Sequence, residues 1–410
     1  LPFEKFYPAM ADTAVRSRLH ALLAEKDPFT SGDPQGIERR VTGRGGEQRK
    51  NVIVVVEESM SGEYLASFGN RDHLTPNLDR LAKESLFFTH LYATGTRTVR
   101  GLEAITLSIP PLPGTSLIKR PDNGGFFSWG SVMREKGYET SFVYAGYGYF
   151  DNMNAFFAGN GFDIVDRASF APSEVTFSNA WGVCDEDLFG KVIQVSRDSW
   201  KRGKPFFTMV MTTSNHRPYT YPKGKIDIPP KHGRKGGVKY ADYAIGRFIE
   251  SARREPWFDD TVFVFVADHC ASSAGKVALP VKRYEIPLLV YAPKMVRPAV
   301  VDTMMSQVDI APTVLGLLNF GYRSRFLGRD VLGGDPARGR AFISTYQKLG
   351  YITGDRLVVL SPGRRSEEYR FDRGTGSLAP MEVSDQDLLD SLAYYQGNNL
   401  LYRNRLNRLR

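Results

Sequence analysis

The 410-residue chain carries 54 Lys and Arg against 45 Asp and Glu, 42% hydrophobic residues, six His and two Cys. That composition excludes a disordered chain, a disulfide-dense scaffold and a Cys-rich zinc module, and it suffices for one large core with a satellite subdomain. The net charge of +9 favours anionic partners such as phospholipid surfaces or phosphorylated substrates, and no nucleic-acid-binding signature accompanies it.

Residues 1–50 are polar and interrupted. "AVRSRLHALLAEK" predicts a short amphipathic helix and "DPFTSGDPQG" a linker, so this segment is expected to be a lead-in arm. No window approaches the ~18 apolar residues of a membrane span. Because the first residue is Leu1 rather than Met, a preceding segment with membrane helices is expected.

From Asn51 onward, apolar runs alternate with helical patterns, which predicts an α/β fold with a mostly parallel sheet covered on both faces. Three runs deliver polar groups at their C-terminal ends: "NVIVVVEES" (Glu57, Glu58, Ser59), "PFFTMVMTTSNH" (Ser214, Asn215, His216) and "TVFVFVADHC" (Asp268, His269, Cys270). A fourth, "TSFVYAGYGYFDN", ends in Gly, Tyr and Asp. Ligand crevices of open α/β sheets lie outside the carboxyl ends of the strands, so these clusters are expected to converge. Between them, Thr75 before Pro76 predicts a helix start, and "KYADYAIGRFIESARR" and "SQVDIAPTVLGLLNF" predict two more helices. Beyond about Tyr346 the pattern changes to alternating strands and then a polar, helix-like tail. The expected division is a 1–50 arm, a 51–345 catalytic domain and a small β-rich subdomain with its tail over 346–410.

The Asp268–His269 pair offers a hard oxygen and an imidazole suited to Zn²⁺ or Mn²⁺, although an Asp there could equally cap a helix. A carboxylate from "VVEESM" would approach from a second strand end. Strand geometry sends Glu57 and Glu58 to opposite faces, so one belongs to the site and the other is a surface or capping carboxylate. In "ATGTRTVRG", helical spacing begins at Thr98, at a helix N-terminus that favours an anion. Its hydroxyl is either a plain N-cap or, beside Glu58, Asp268 and His269, a nucleophile toward phosphorus. His216 could bind a phosphate oxygen or protonate a leaving group.

At these residues the sequence resembles the lipoteichoic acid synthase-like branch of the sulfatase and alkaline phosphatase superfamily, over roughly Asn51 to Leu332. The resemblance implies a three-layer sandwich and one divalent metal, Mn²⁺ or Zn²⁺ with Mg²⁺ as a third candidate, bound by Glu58, Thr98, Asp268 and His269. It also implies Thr98 as nucleophile, rather than Thr94 or Thr96, and His216 as the group that contacts the substrate phosphate. The implied reaction attacks an anionic phospholipid donor, releases diacylglycerol, and passes the headgroup phosphate from phospho-Thr98 to a glycan or lipid hydroxyl, outside the bacterial inner membrane.

This chain departs from the family in the loop after "SFVYAG", where the synthases place a Trp and an Arg and Asp151 and Asn152 stand here. Arg97, Arg100 or Arg217 is expected to supply the missing positive charge. The Cys-x-Pro-x-Arg motif that sulfatases convert to formylglycine is absent, and two cysteines cannot provide the disulfides of the lipid A phosphoethanolamine transferases. Cys184 and Cys270 allow one bridge or two free thiols. The competing readings are phosphoethanolamine transfer, a phosphodiesterase or phosphatase that uses water, and an inactive lipid-binding sensor.

Overall fold

The computed structural model describes residues 2–271 and 279–409. Its main sheet is built from β1 (Asn51–Glu57), β2 (Leu86–Tyr92), β3 (Glu139–Tyr144), β4 (Asp163–Val165), β5 (Phe206–Met211), β6 (Thr261–Ala267), β7 (Glu285–Tyr291) and β8 (Ala299–Val301), in the spatial order β8-β2-β7-β6-β1-β5-β3-β4. The pair Met305–Ser306 adds a short parallel ladder to β2. Every residue of β1, β5 and β6 is buried, which explains why these segments read as unbroken apolar runs rather than alternating ones. β7 alone runs antiparallel to its two neighbours.

Register places the strand ends. β1 pairs in parallel with both neighbours, Glu57 opposite Ala267 and Val56 opposite Met211, and β3 meets β5 with Tyr144 opposite Met211. Carried forward, these registers bring Glu58, Asp268 and Thr213 out of the sheet at one level. β2 reaches the same edge because Tyr92 pairs with Glu285 at the start of antiparallel β7.

The helices Pro76–Lys83, Asp185–Lys201 and Arg234–Ala252 pack as one group, and Thr98–Leu107, Trp129–Glu135 and Ile310–Leu317 as another. The first begins after Thr75 as expected, but the Thr75 side chain does not cap it. The Asp242 carboxylate does so instead, accepting from the backbone N–H groups of Asn77 and Leu78 at 2.9 and 2.7 Å. Among the described residues no helix is long and apolar enough to cross a membrane.

Residues 2–50 pack against the rest of the chain. The helix Asp12–Leu23 packs on Asp385–Arg403 so closely that a Cβ on Gly397 would lie 2.9 Å from the Leu19 side chain, and Arg18 pairs with Asp390 at 2.8 Å. Arg39–Val41 forms an antiparallel pair with Tyr322–Ser324. The β-rich part begins at Ala341 rather than 346, as a five-stranded antiparallel meander running to Met381. The expected polar tail is a 19-residue helix whose Leu392, Ala393 and Tyr395 are buried, and Tyr395 donates to the Gly350 carbonyl. Burying these side chains against the meander fixes a segment whose sequence looks polar.

Candidate active site

A cleft of about 430 Å³ opens at the common edge of β1, β2, β3, β5 and β6. On its floor Glu58, Asp268 and His269 present ligand atoms within 4.8 Å of one another. Thr98 joins them from the first position of the helix Thr98–Leu107, its Oγ1 donating to Asp268 Oδ2 at 2.8 Å and approaching Glu58 Oε2 at 3.2 Å. The N-cap of that helix is Arg97, so the Thr98 hydroxyl is free of capping duty and faces the carboxylates. The positive end of the helix dipole adds to the attraction for an anion.

Each group is fixed from behind. His269 Nδ1 lies 2.7 Å from the Cys270 carbonyl, which can only accept, so Nδ1 carries the proton and Nε2 turns to Glu58 and Asp268 at 3.5 and 3.4 Å. Asp268 Oδ1 accepts from the N–H groups of Ser59 and His269, leaving Oδ2 for Thr98. The chain turns sharply after Glu58, with Ser59 in the left-handed region at φ 52°, and the Asn215 carboxamide holds the Glu58 carbonyl at 3.0 Å. Gln307 reaches across the site. Its Nε2 donates to the carbonyls of Ala267 and Asp268, and its Oε1 accepts from Thr94. Gly101 lets the helix Thr98–Leu107 approach this strand end, since a Cβ there would lie 2.3 Å from the Asp268 carbonyl oxygen.

Electrostatics match a cation site. Burial opposes ionisation of Glu58, but the hydrogen-bonded imidazole of His269 more than reverses this and holds its carboxyl below the usual range. Asp268 is pushed up, by burial first and then by the Glu58 charge. Burial would lower His269, yet the charges of Asp268 and Glu58 override it and raise the imidazole to about 9. Two carboxylates, one imidazole nitrogen and one hydroxyl form a donor set that fits a divalent ion.

Glu57 stays outside this cluster and is neither a surface nor a capping carboxylate. It is the last residue of β1, 1% exposed, and burial followed by the charges of Asp185 and Asp242 holds it well above the usual range. Thr94 is also buried, with its hydroxyl on the Arg100 carbonyl and Gln307.

The cleft walls include Arg97, Asp151, His216 and Arg217 from the predicted set. His216 Nδ1 contacts the Arg217 carbonyl at 3.0 Å and so bears a proton, leaving Nε2 as its exchangeable nitrogen. Asp151, at φ 53°, pairs with Lys119 at 3.2 Å. Arg100 and Asn152 do not line the cleft. The buried Arg100 guanidinium donates to the carbonyls of Leu112 and Gly114 and pairs with Glu103, its stem fitting where a side chain on Gly95 would clash. Asn152 is committed to the Ile118 carbonyl at 3.0 Å. The glycines of "ATGTRTVRG" thus make room for protein rather than for ligand. Both cysteines are buried free thiols in separate clusters, Cys270 donating to the Glu285 carbonyl.

Sequence reasoning missed Trp181 and Arg234. Trp181 stands on a two-residue hairpin turned by the Asn179 side chain, its ring 3.9 Å from that of His216. The Asn-x-x-Gly turn was the only local signal. Arg234 starts a helix 18 residues after His216 and reaches the cleft by stacking on Tyr219 at 5.2 Å.

Residues 50–320 match the family model described as Sulfatase. The chain is 26% identical over 317 residues to phosphoglycerol transferase I of Xanthomonas campestris pv. campestris, covering 70% of the chain and 43% of that protein. It is 24% identical over 387 residues to lipoteichoic acid synthase 2 of Bacillus subtilis, covering 86% and 58%. The chain thus spans about half the length of the curated relatives it matches. A crystal structure of a protein in the alkaline phosphatase superfamily from Vibrio parahaemolyticus superimposes with a TM-score of 0.93 at 35% identity, over 99% of this chain and 100% of that one. The predicted three-layer α/β architecture is the observed one, and the chain belongs to the sulfatase family, in its lipoteichoic acid synthase-like branch within the alkaline phosphatase superfamily.

Proposed function

We propose that this chain transfers a phospho-headgroup, phosphoglycerol from phosphatidylglycerol, to the hydroxyl of a glycan or lipid acceptor at the outer face of the bacterial inner membrane. The observation that carries this reading is the position of one hydroxyl, Thr98 Oγ1, between Glu58 and Asp268 at a helix start on the floor of a cleft walled by arginines. The phosphoglycerol transferase and lipoteichoic acid synthase relatives support the substrate class. A divalent ion held by Glu58, Thr98, Asp268 and His269, with Mn²⁺ or Zn²⁺ as first candidates and Mg²⁺ as a third, would supply Lewis acidity at this point.

In the first step Thr98 Oγ attacks phosphorus, and its proton leaves by way of its acceptor Asp268 Oδ2. The new P–O bond to Thr98 forms as the bond to the diacylglycerol oxygen breaks, and His216 Nε2 gives that oxygen a proton. In the second step the acceptor hydroxyl attacks the same phosphorus, His216 takes its proton, and the bond to Thr98 breaks as Thr98 Oγ takes back the proton passed to Asp268 Oδ2. Arg97, Arg217 and Arg234 hold the phosphate charge, and Asp151 accepts from the glycerol hydroxyls.

The test is to incubate the chain with labelled phosphatidylglycerol or phosphatidylethanolamine, in Mn²⁺ or Zn²⁺, and weigh the Thr98 peptide. A phosphoglycerol adduct that is absent in Thr98→Ala is expected. A phosphoethanolamine adduct reassigns the headgroup, and no adduct with either lipid overturns the reading.

A further inference from the structure

We propose that the mouth of the cleft docks on the surface of an anionic phospholipid bilayer, through a rim of exposed aromatic rings and unpaired cations. The inference rests on the lipid-donor reading above and adds how the cleft meets its donor.

Two loops form the rim. The loop after β3 carries Tyr147, Tyr149 and Phe150, which are 45%, 75% and 48% exposed within four residues of chain. Rings of this size are rarely left in water together without a partner. Phe150 meets Trp181 edge-on at 5.7 Å, and Trp181 lies against His216, so the aromatic loop is continuous with the cleft wall. The second loop follows His216. The Tyr219 N–H donates to the His216 carbonyl and the Lys231 N–H to the Tyr219 carbonyl, which ties Lys231 to the same edge.

The charge of this rim is one-sided. Arg97, Arg217 and Lys231 are exposed and have no ion-pair partner among the described residues. The carboxylates of the two loops are already answered, Asp151 by Lys119 and Asp227 by Lys239. Tyrosines sit at headgroup level in a bilayer, with the ring among the upper acyl carbons and the hydroxyl wet, while Lys and Arg meet the lipid phosphates. A cleft seated at that depth receives the phosphodiester where it already lies, without extracting the lipid.

A neutral glycan fits the rim less well. Sugar faces stack on flat ring platforms, whereas the Tyr147 and Tyr149 rings, 5.7 Å apart, are tilted by 33°. Unpaired cations give an uncharged sugar nothing that they do not give water.

The experiment is sedimentation of the full chain with vesicles of phosphatidylcholine alone or with about 30% phosphatidylglycerol, with a soluble β-glucan as competitor. Wild type is expected to bind the anionic vesicles, less at high salt. The triple variant Tyr147→Ser, Tyr149→Ser, Lys231→Glu should lose about tenfold or more of that partitioning. Its turnover of a water-soluble, short-chain phosphoglycerol donor should stay unchanged, because none of the three residues lines the cleft. Tyr149→Ser alone, at the most exposed ring, is the check should the triple variant fold poorly, and should show a smaller loss in the same direction. Equal vesicle binding by variant and wild type overturns the proposal. So does displacement by the glucan, which makes the rim a glycan site. Intact vesicle binding without turnover of the soluble donor overturns the phosphoglycerol reading and leaves the docking proposal standing.

Discussion

Gln307 holds the backbone of Asp268. Its Nε2 donates to the Asp268 carbonyl at 2.9 Å and equally to Ala267, while its Oε1 accepts from the Thr94 N–H at 3.0 Å. One buried carboxamide thus links the strand that bears two metal-fitting groups to the loop that leads into the helix Thr98–Leu107. Ser344 adds a strut from the C-terminal meander by donating to the Thr94 carbonyl at 2.8 Å.

Replacing Gln307 with Leu leaves two carbonyls and an N–H buried without this partner. The expected cost is about 2–4 kcal/mol of stability, with divalent-ion affinity down about 10- to 100-fold, as for other groups that orient ligands from behind. Chemical denaturation and metal titration of the same variant check both. Unchanged metal affinity would reduce Gln307 to a purely structural residue.

Thr98→Ala should lower turnover by at least about a thousandfold, since the covalent route disappears. Thr98→Ser should keep a measurable fraction. Thr96→Ala, on the cleft wall, should change turnover by less than about tenfold. Full activity in Thr98→Ala with loss in Thr96→Ala would move the nucleophile two residues back, into the loop before the helix.

Gly101→Ala places a Cβ 2.3 Å from the Asp268 carbonyl oxygen, against backbone that cannot swing aside. The helix must retreat, so stability should fall by about 1–3 kcal/mol, and Thr98 should move off Asp268 with loss of turnover. Thermal unfolding and activity together test the coupling. Wild-type behaviour would mean that the helix has slack here.

Divalent-ion affinity should depend on pH through His269. Its imidazole keeps a proton up to about 9 in the metal-free chain, under the charges of Asp268 and Glu58, and a metal must displace that proton. Because this folded value is raised above the ordinary 6.5, the proton stabilises the metal-free chain below about 6.5, and that contribution is lost as pH rises through about 9. Apparent affinity should therefore climb up to about pH 9, with proton release visible by calorimetry in buffers of different ionisation heat. A plateau already at pH 7 would contradict this.

The arginines should separate into two kinds. Arg217→Ala and Arg234→Ala should raise KM for an anionic donor by about tenfold each with folding intact, as removal of charged hydrogen bonds does. Arg100→Met should instead lower the melting temperature and leave KM nearly unchanged, because its guanidinium serves Glu103, Leu112 and Gly114. Steady-state kinetics beside thermal unfolding distinguishes them.

The sequence by itself determined the sheet and the chemistry at its edge. Continuous β-branched runs such as "NVIVVVE" announce strands buried on both faces, and parallel strands put their terminal residues on one side, so the polar clusters Glu57–Ser59, Ser214–His216 and Asp268–Cys270 were legible from local pattern, while the choice of Glu58 over Glu57 came from the family resemblance. Thr98 was legible because helical spacing begins at it. What only the tertiary structure decided is which of several similar side chains turns inward. Arg97 and Arg100 read alike on paper, but Arg97 is the extended N-cap residue outside the helix and lines the cleft, whereas Arg100 lies within the first turn and reaches the carbonyls of Leu112 and Gly114. Trp181, Arg234 and Gln307 come from segments far apart in sequence, the first two brought to the cleft by a hairpin and a ring stack and the third buried against the backbone that carries Asp268. The first 50 residues and the last helix read as polar because each alone has too little apolar face. Packed on one another, they bury it.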